Sequence, residues 1–263
     1  MKIDLGNKRA LVTGATGGIG EAITAALLNA GAEVVVSGTR IEKLAEMESK
    51  LGSLGKIVTM PCNLGVPEDI TGLVSELSGL DGGIDILINN AGIADFCSIE
   101  KTDFATWRKI MSINLDGTFL VSQAAIPALK KTNGSIVNVA SISGIRASTL
   151  RVAYGTSKAG VIQLTLQQAV ELGEYGIRAN CICPGPIRTK LSSAVHTQEI
   201  IDAYHDAIPL GRYGTEDEIA NIITFLCSEN ARYVTGQVLS ADGGFEAAGV
   251  GLPALRKSKS KHI

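Results

Sequence analysis

Short aliphatic runs bounded by glycine and polar turns recur along the chain: Arg9 to Thr13, Ala32 to Gly38, Lys56 to Cys62, Ile84 to Asn89, Ser135 to Ala140, Ile177 to Cys183 and Gln237 to Ser240. Runs this short and this continuously apolar predict strands covered on both faces. Between them the spacing of apolar residues lengthens to that of amphipathic helices. These are predicted at Glu21 to Gly31, Pro67 to Ser78, Asp103 to Lys131, around Tyr154, at Gln198 to Ala207 and from Thr215 to Cys227. Alternation of this kind predicts an α/β fold, a doubly wound parallel sheet. No linker, repeat or break in composition divides residues 1–250, which read as a single domain. Residues 251–263 carry the polar, basic run Arg256-Lys-Ser-Lys-Ser-Lys-His262 and read as a disordered tail.

Composition narrows the class. The 263 residues are 45% hydrophobic but only 4% aromatic, which suits a large core of Val, Ile, Leu and Ala. A formal charge of −2, with no basic block before the tail, offers no general attraction to nucleic acid or to an anionic membrane. The N-terminal residues lack an apolar leader and no long apolar run follows, so a soluble cytoplasmic protein is expected. Five cysteines, an odd number in mostly apolar surroundings, suit buried thiols in a reducing compartment. Cys181 and Cys183 alternate along one strand and could share a face, but no second pair or clustered His completes a metal site, and none is expected.

Two stretches carry chemistry. The first strand runs into Gly14-Ala-Thr-Gly-Gly-Ile-Gly20 and then a helix. Glycines there let the backbone turn tightly and approach a pyrophosphate, which free N–H groups at the helix start can bind; this makes the sheet one of Rossmann type. After the second strand, where an acid would bind the 2′-hydroxyl of NAD, stand Thr39 and Arg40. They suit a 2′-phosphate, so NADP(H) is the expected cofactor, with NAD the other candidate; alternatively Arg40 simply opens a solvated helix. The second stretch runs from Ser141 to Lys158. Tyr154 and Lys158, four apart on a helix, share a face, and a cation beside a phenol stabilises its phenolate and makes the hydroxyl a usable acid. Ser141 can hold the oxygen that receives the proton. Such a pair also arises simply as a half-buried Tyr beside a solvated Lys.

With these residues in view, the chain resembles the short-chain dehydrogenase/reductase family from about Leu5 to Phe245. The matching motifs are Thr13-Gly-Ala-Thr-Gly-Gly-Ile-Gly20, Asn89-Asn-Ala-Gly92, Asn114 in Ile-Asn-Leu-Asp-Gly, Ser141, Tyr154-x-x-x-Lys158 and Pro184-Gly-Pro-Ile-Arg-Thr189. Similarity is nearest to the bacterial 3-oxoacyl-acyl-carrier-protein reductases. The resemblance implies that Gly14, Thr16, Gly18 and Ile19, with Gly20 completing the loop, meet the cofactor phosphates and riboses. It places Asn63 and Leu64 beside the adenine, Asn90 at the adenosine ribose, and Ile187 and Thr189 at the nicotinamide carboxamide. It makes Tyr154 the proton donor, Ser141 the second hydrogen-bond donor to the carbonyl oxygen, and Lys158 a holder of the nicotinamide ribose. Asn114 would anchor a water that reconnects Lys158 to solvent, or else merely mend a helix irregularity. Asp242-Gly-Gly244 resembles the segment that packs tetrameric members, so a homotetramer is expected.

The function implied is an NAD(P)(H)-dependent oxidoreductase interconverting a ketone and a secondary alcohol on a small carbonyl, polyol or sugar-type substrate. A 3-oxoacyl-acyl-carrier-protein reductase is the alternative; it docks an acidic carrier through arginines where this chain has Thr132 and Tyr175, although Lys130 and Lys131 are nearby. A non-catalytic dinucleotide sensor is the third reading, against which the joint presence of Asn114, Ser141, Tyr154 and Lys158 argues. The lid region from Lys190 to Pro209 mixes Leu191, Val195 and Ile200 with His196, Tyr204 and His205, suiting a moderately polar substrate. Arg146 and Arg151 are candidates for an anionic substrate group or for rim charges. Phe104 and Trp107 are expected in the core or at a subunit contact.

Overall fold

The computed structural model describes residues 3–79, 83–189, 192 and 195–249. Parallel strands form one sheet in the order β3-β2-β1-β4-β5-β6-β7, namely β1 Arg9–Thr13, β2 Glu33–Gly38, β3 Ile57–Pro61, β4 Ile86–Asn89, β5 Ser135–Val139, β6 Arg178–Pro184 and β7 Val238–Ala241. The chain starts in the middle at β1, winds out through β2 to β3, then returns to β4 on the other side. Strand order therefore reverses between β1 and β4, and the carboxyl ends of these strands open the crevice where such sheets bind ligands.

Register explains the unbroken apolar runs. Val12 lies opposite Val36 and Ile88, and Leu11 opposite Val35 and Leu87. Successive side chains leave opposite faces, so Val12, Val36, Ile88 and Val137 join one core with helices α1 (Gly18–Asn29), α2 (Ile41–Leu51) and α8 (Glu216–Cys227). Leu11, Val35, Leu87 and Ile136 join the other with α3 (Pro67–Gly79), α5 (Gly117–Thr132) and α6 (Val152–Leu172).

The expected alternation is present, with strand ends displaced by a residue or two. Helix α7 spans Gln198–Ala207, the range its periodicity predicts, and Thr215 caps α8 reciprocally with Glu218. Three features refine the expectation. Helix α2 buries only Leu44, Met47 and Leu51 beneath a charged face. The expected long helix from Asp103 runs unbroken over residues 104–132, with a π-helical turn at Ser112–Asp116 between α4 (Phe104–Met111) and α5. Phe104 is 75% exposed, so of its two expected settings, the core or a subunit contact, it is not in the core of this chain. The basic tail lies outside the described residues.

A buried polar chain crosses the second half of the sheet. Asn89 Nδ2 donates to Ser122 Oγ at 2.9 Å and to Asn138 Oδ1 at 2.8 Å. Asn138 Nδ2 in turn donates to Thr165 Oγ1 and Gln168 Oε1, both at 2.8 Å. Neighbouring strands β4 and β5 are thus tied to α5 and α6 by groups that would be costly to leave unpaired at this depth.

Candidate active site

At the end of β1 the chain enters the glycine loop with Gly14 at φ +61°. A Cβ at Gly14 would lie 2.6 Å from Ala91 Cα, and one at Gly20 would lie 2.4 Å from Gly14 O. Only glycine fits either place, and α1 begins within the same loop at Gly18, presenting its first N–H groups. Thr13 Oγ1 steadies the crevice, accepting from Asn90 N at 3.1 Å and Ala91 N at 3.2 Å. Asn90 Nδ2 donates to Thr13 O and Gly14 O, so its amide protons are engaged in holding the loop. These features fit a dinucleotide: a backbone cradle at a helix start, packed so closely that no side chain enters it.

Thr16 approaches the end of β2, where a Cβ at Gly38 would be 3.6 Å from its hydroxyl. Thr39 and Arg40 are exposed just beyond, with Arg40 at the cap of α2 and in no ion pair among the described residues. Asn63 is exposed at the crevice rim, its Oδ1 accepting from Gly65 N at 3.0 Å. The side chains of Leu64 and Ile187 are core residues, and Ile19 packs partly against the core, so from these positions the backbone is the part left to face a ligand. Thr189 exchanges bonds with Ser192, N to Oγ at 2.9 Å and Ser192 N to Oγ1 at 3.0 Å, turning the chain toward the lid.

One crevice residue carries no local motif. Glu216, at the start of α8, lays its carboxylate over Gly18, where a Cβ would come 1.7 Å from Oε1. Only the packing of α1 against α8 brings these positions together.

The second half of the site lies across β5 and α6. Ser141 follows β5 in extended backbone, and its Oγ accepts from Ser143 N at 3.1 Å. Tyr154 and Lys158 are one turn apart on α6; the ammonium, 4% exposed, donates to Val139 O at 2.7 Å and lies 5.9 Å from the Tyr154 ring centroid. Asn114 is fully buried in the π-helical turn, accepting from Ile93 N at 2.8 Å and donating to Ile93 O at 2.9 Å and Ser157 Oγ at 3.0 Å. A Cβ at Gly92 would stand 3.2 Å from Lys158 Nζ and 3.3 Å from Asn114 Oδ1, so a bare backbone keeps ammonium and amide close. Beneath them Cys181 and Cys183 do share a face, 3.9 Å apart; the bond to Cys181 and burial push the Cys183 thiol far up, so it stays protonated.

Above the crevice, α7 brings aromatic rings together. His196 stacks on Tyr204, and its Nδ1 bonds the Tyr213 hydroxyl at 2.9 Å. Burial, then the charge of Arg151, lowers the His196 pKa and keeps the ring neutral at pH 7; burial, then Tyr204, pushes Tyr213 up to about 12. Lys190 and Leu191 of the lid lie outside the described residues.

A family model described as Enoyl-(Acyl carrier protein) reductase matches residues 14–246. Among curated relatives, the 3-oxoacyl-(acyl-carrier-protein) reductase FabG of Aquifex aeolicus is 40% identical over 93% of this chain and 99% of its own length. The 2-(S)-hydroxypropyl-CoM dehydrogenase 3 of Xanthobacter autotrophicus is 35% identical over 92% and 98%. Among solved structures, the Pseudomonas aeruginosa RhlG/NADP active-site complex superposes with a TM-score of 0.89 at 31% identity, over 93% of this chain and 98% of that one. The chain belongs to the short-chain dehydrogenase/reductase family. It is accordingly an oxidoreductase acting on CH–OH groups with NAD(P). Among the described residues no helix is long and apolar enough to cross a membrane.

Proposed function

We propose that this enzyme interconverts a ketone and a secondary alcohol on a small molecule and prefers NADP(H). The observation that carries the reading is the convergence of Ser141, Tyr154, Lys158 and Asn114 at the carboxyl end of β5, beside a glycine cradle that admits no side chain. When bound, the nicotinamide supplies or accepts the hydride. Tyr154 gives its hydroxyl proton to the developing alkoxide, and Ser141 donates a second hydrogen bond that orients the oxygen. Lys158, buried and held by the Val139 carbonyl, sets its ammonium 5.9 Å from the Tyr154 ring centroid, where it would hold the nicotinamide ribose. Asn114 acts by position: its bonds to Ile93 and Ser157 fix the π-helical turn against the loop carrying Gly92 and against α6.

Gly14, Thr16, Gly18, Ile19 and Gly20 would hold the phosphates and riboses, Asn63 and the Leu64 backbone the adenine, and Ile187 and Thr189 the carboxamide. Asn90 would serve chiefly by shaping the loop. The exposed Arg40, with Thr39, favours a 2′-phosphate, as does likeness to a protein solved with NADP. The exposed Leu239 on edge strand β7 and the Asp242-Gly-Gly turn support a homotetramer, and free thiols suit the cytoplasm.

Carrier-protein reduction is the second reading, favoured by the 40% identical relative. Against it, the two docking positions hold Thr132 and Tyr175, and the Lys130 ammonium is already seated over the Tyr175 ring at 3.3 Å. The experiment is a panel of ketones, among them a 3-oxoacyl group carried free and on the acidic protein, assayed with NADPH and NADH. Free ketones turned over with little response between about 50 and 200 mM salt support the small-molecule reading. Strong preference for the carrier-linked group, falling steeply with salt, would replace it.

A further inference from the structure

Two arginines precede Tyr154, and the fold treats them differently. Arg146 is engaged with backbone: its Nη1 donates to Phe245 O at 2.6 Å and to Ala248 O at 3.2 Å. Arg151 has no such partner. Its guanidinium carbon sits 3.9 Å over the Phe96 ring and 5.2 Å from the ring centroid of Tyr154, while among the described residues none of its N–H groups meets a protein acceptor and it enters no ion pair. The nearest acid in sequence to Phe96, Asp95, is turned back onto Phe96 N at 2.9 Å. An arginine carries five N–H donors in a planar fork; flanked by rings and left without acceptors, that fork is presented rather than neutralised.

The backbone places it deliberately. Leu150 adopts φ +60°, uncommon for a branched side chain, and its carbonyl is pinned by Cys97 N at 3.1 Å. The strained turn leaves Arg151 as the N-cap of α6, three residues before Tyr154, with its guanidinium 5.2 Å from the Tyr154 ring centroid. Burial and the charge of Arg151 itself keep His196 neutral at pH 7, so this ring offers hydrogen bonding rather than a second cation.

We propose that Arg151 is a specificity-determining residue, receiving a compact anionic group, a carboxylate or sulfonate, that the substrate carries a few bonds from its reacting carbon. The proposal rests on Tyr154 being the proton donor. A planar oxyanion accepts two parallel N–H bonds from such a fork, while Phe96 keeps the guanidinium flat and partly dry, which strengthens the contact. An anion so held fixes the distance from its own carbon skeleton to the Tyr154 hydroxyl, so the residue selects chain length as well as charge.

The test compares 4-oxopentanoate and a keto-sulfonate of similar length with the neutral ketone 2-hexanone, using full-length wild type, Arg151→Gln and Arg151→Lys with NADPH. The expected result is a wild-type kcat/KM higher for the anions, and a ratio of anionic to neutral efficiency that falls about 10- to 100-fold in Arg151→Gln, mainly through KM, as expected for loss of one charge-assisted contact. Arg151→Lys should recover part of it, since it restores charge without the fork. Calorimetric binding of 4-oxopentanoate to the enzyme with NADP+, which has no hydride to give a ketone, is a readout independent of turnover, and should weaken about tenfold or more in Arg151→Gln. An unchanged ratio and equal binding would overturn the assignment while leaving ketone reduction intact. If no ketone were reduced, the calorimetry alone would decide it, and the proposed reaction would fail separately. Equal losses on neutral and anionic ketones would instead make Arg151 a partner of Tyr154 and refute the anion site.

Discussion

Around β1 and β2 the crevice is shaped by atoms that are missing, whereas around β5 and α6 it is shaped by side chains that bond. Gly14 and Gly20 allow backbone to touch backbone, and the side-chain bonds there, from Thr13 and Asn90, run to the loop's own backbone above a core of Val, Ile and Leu. On the other side Asn89, Asn138, Thr165 and Gln168 form a continuous polar chain, and Asn114, Ser157 and Lys158 each have named partners. A backbone cradle recognises a phosphate by N–H direction and tolerates most side chains outside the glycines. A hydrogen-bonded lattice needs particular side chains, and so can place an acid and a cation with little freedom.

The largest expected effect falls on the bonded half. Tyr154→Phe should lower turnover by roughly 10²-fold or more with cofactor affinity nearly kept, and Lys158→Ala should harm both; fluorescence titration of NADPH beside steady-state rates separates the two. If Tyr154→Phe bound cofactor poorly, the division between halves would fail. Next is Asn138→Ala, which removes the partner shared by Asn89, Thr165 and Gln168 and should cost about 2–3 kcal/mol, seen as a melting temperature lower by several degrees. A loss within ~0.5 kcal/mol would show that the polar chain is dispensable.

The same contrast explains what the sequence reveals. Strands are legible because Val34-Val-Val36 and Ile86-Leu-Ile88 are apolar on both faces, and the glycine loop because a Cβ at Gly14 or Gly20 would strike backbone. The α6 pair is legible because helical spacing alone brings Tyr154 over Lys158. Helix α2 is visible only as a solvated helix opening at Arg40, because Leu44, Met47 and Leu51 are scattered among charges. Glu216 over Gly18 and Arg151 beside Phe96 depend on tertiary packing and on a strained turn, which no local pattern announces.

Two smaller effects sharpen the cofactor half. Arg40→Ala should raise the NADPH dissociation constant about tenfold while barely moving that for NADH, as loss of a charged contact to the 2′-phosphate requires. Equal changes, or a wild type preferring NADH, would transfer the choice to Thr39 or elsewhere. Glu216→Gln removes a negative charge lying on the phosphate cradle and should tighten both cofactors by about two- to threefold, an effect that shrinks with salt. Weaker binding would mean that the carboxylate positions the cradle.

The π-helical turn at Ser112–Asp116 has a further meaning for the chain's length. A π turn is an α-helix holding one surplus residue, looped outward so that the segments on either side stay where an uninterrupted helix would leave them. Removing a single residue from this stretch should therefore heal the helix, leaving α4 and α5 in place and the melting temperature equal or higher. What it would take away is the reach of Asn114 to Ile93, and with it turnover. A deletion that folds well and works badly would make this extra amino acid a part of the machine that the scaffold does not need.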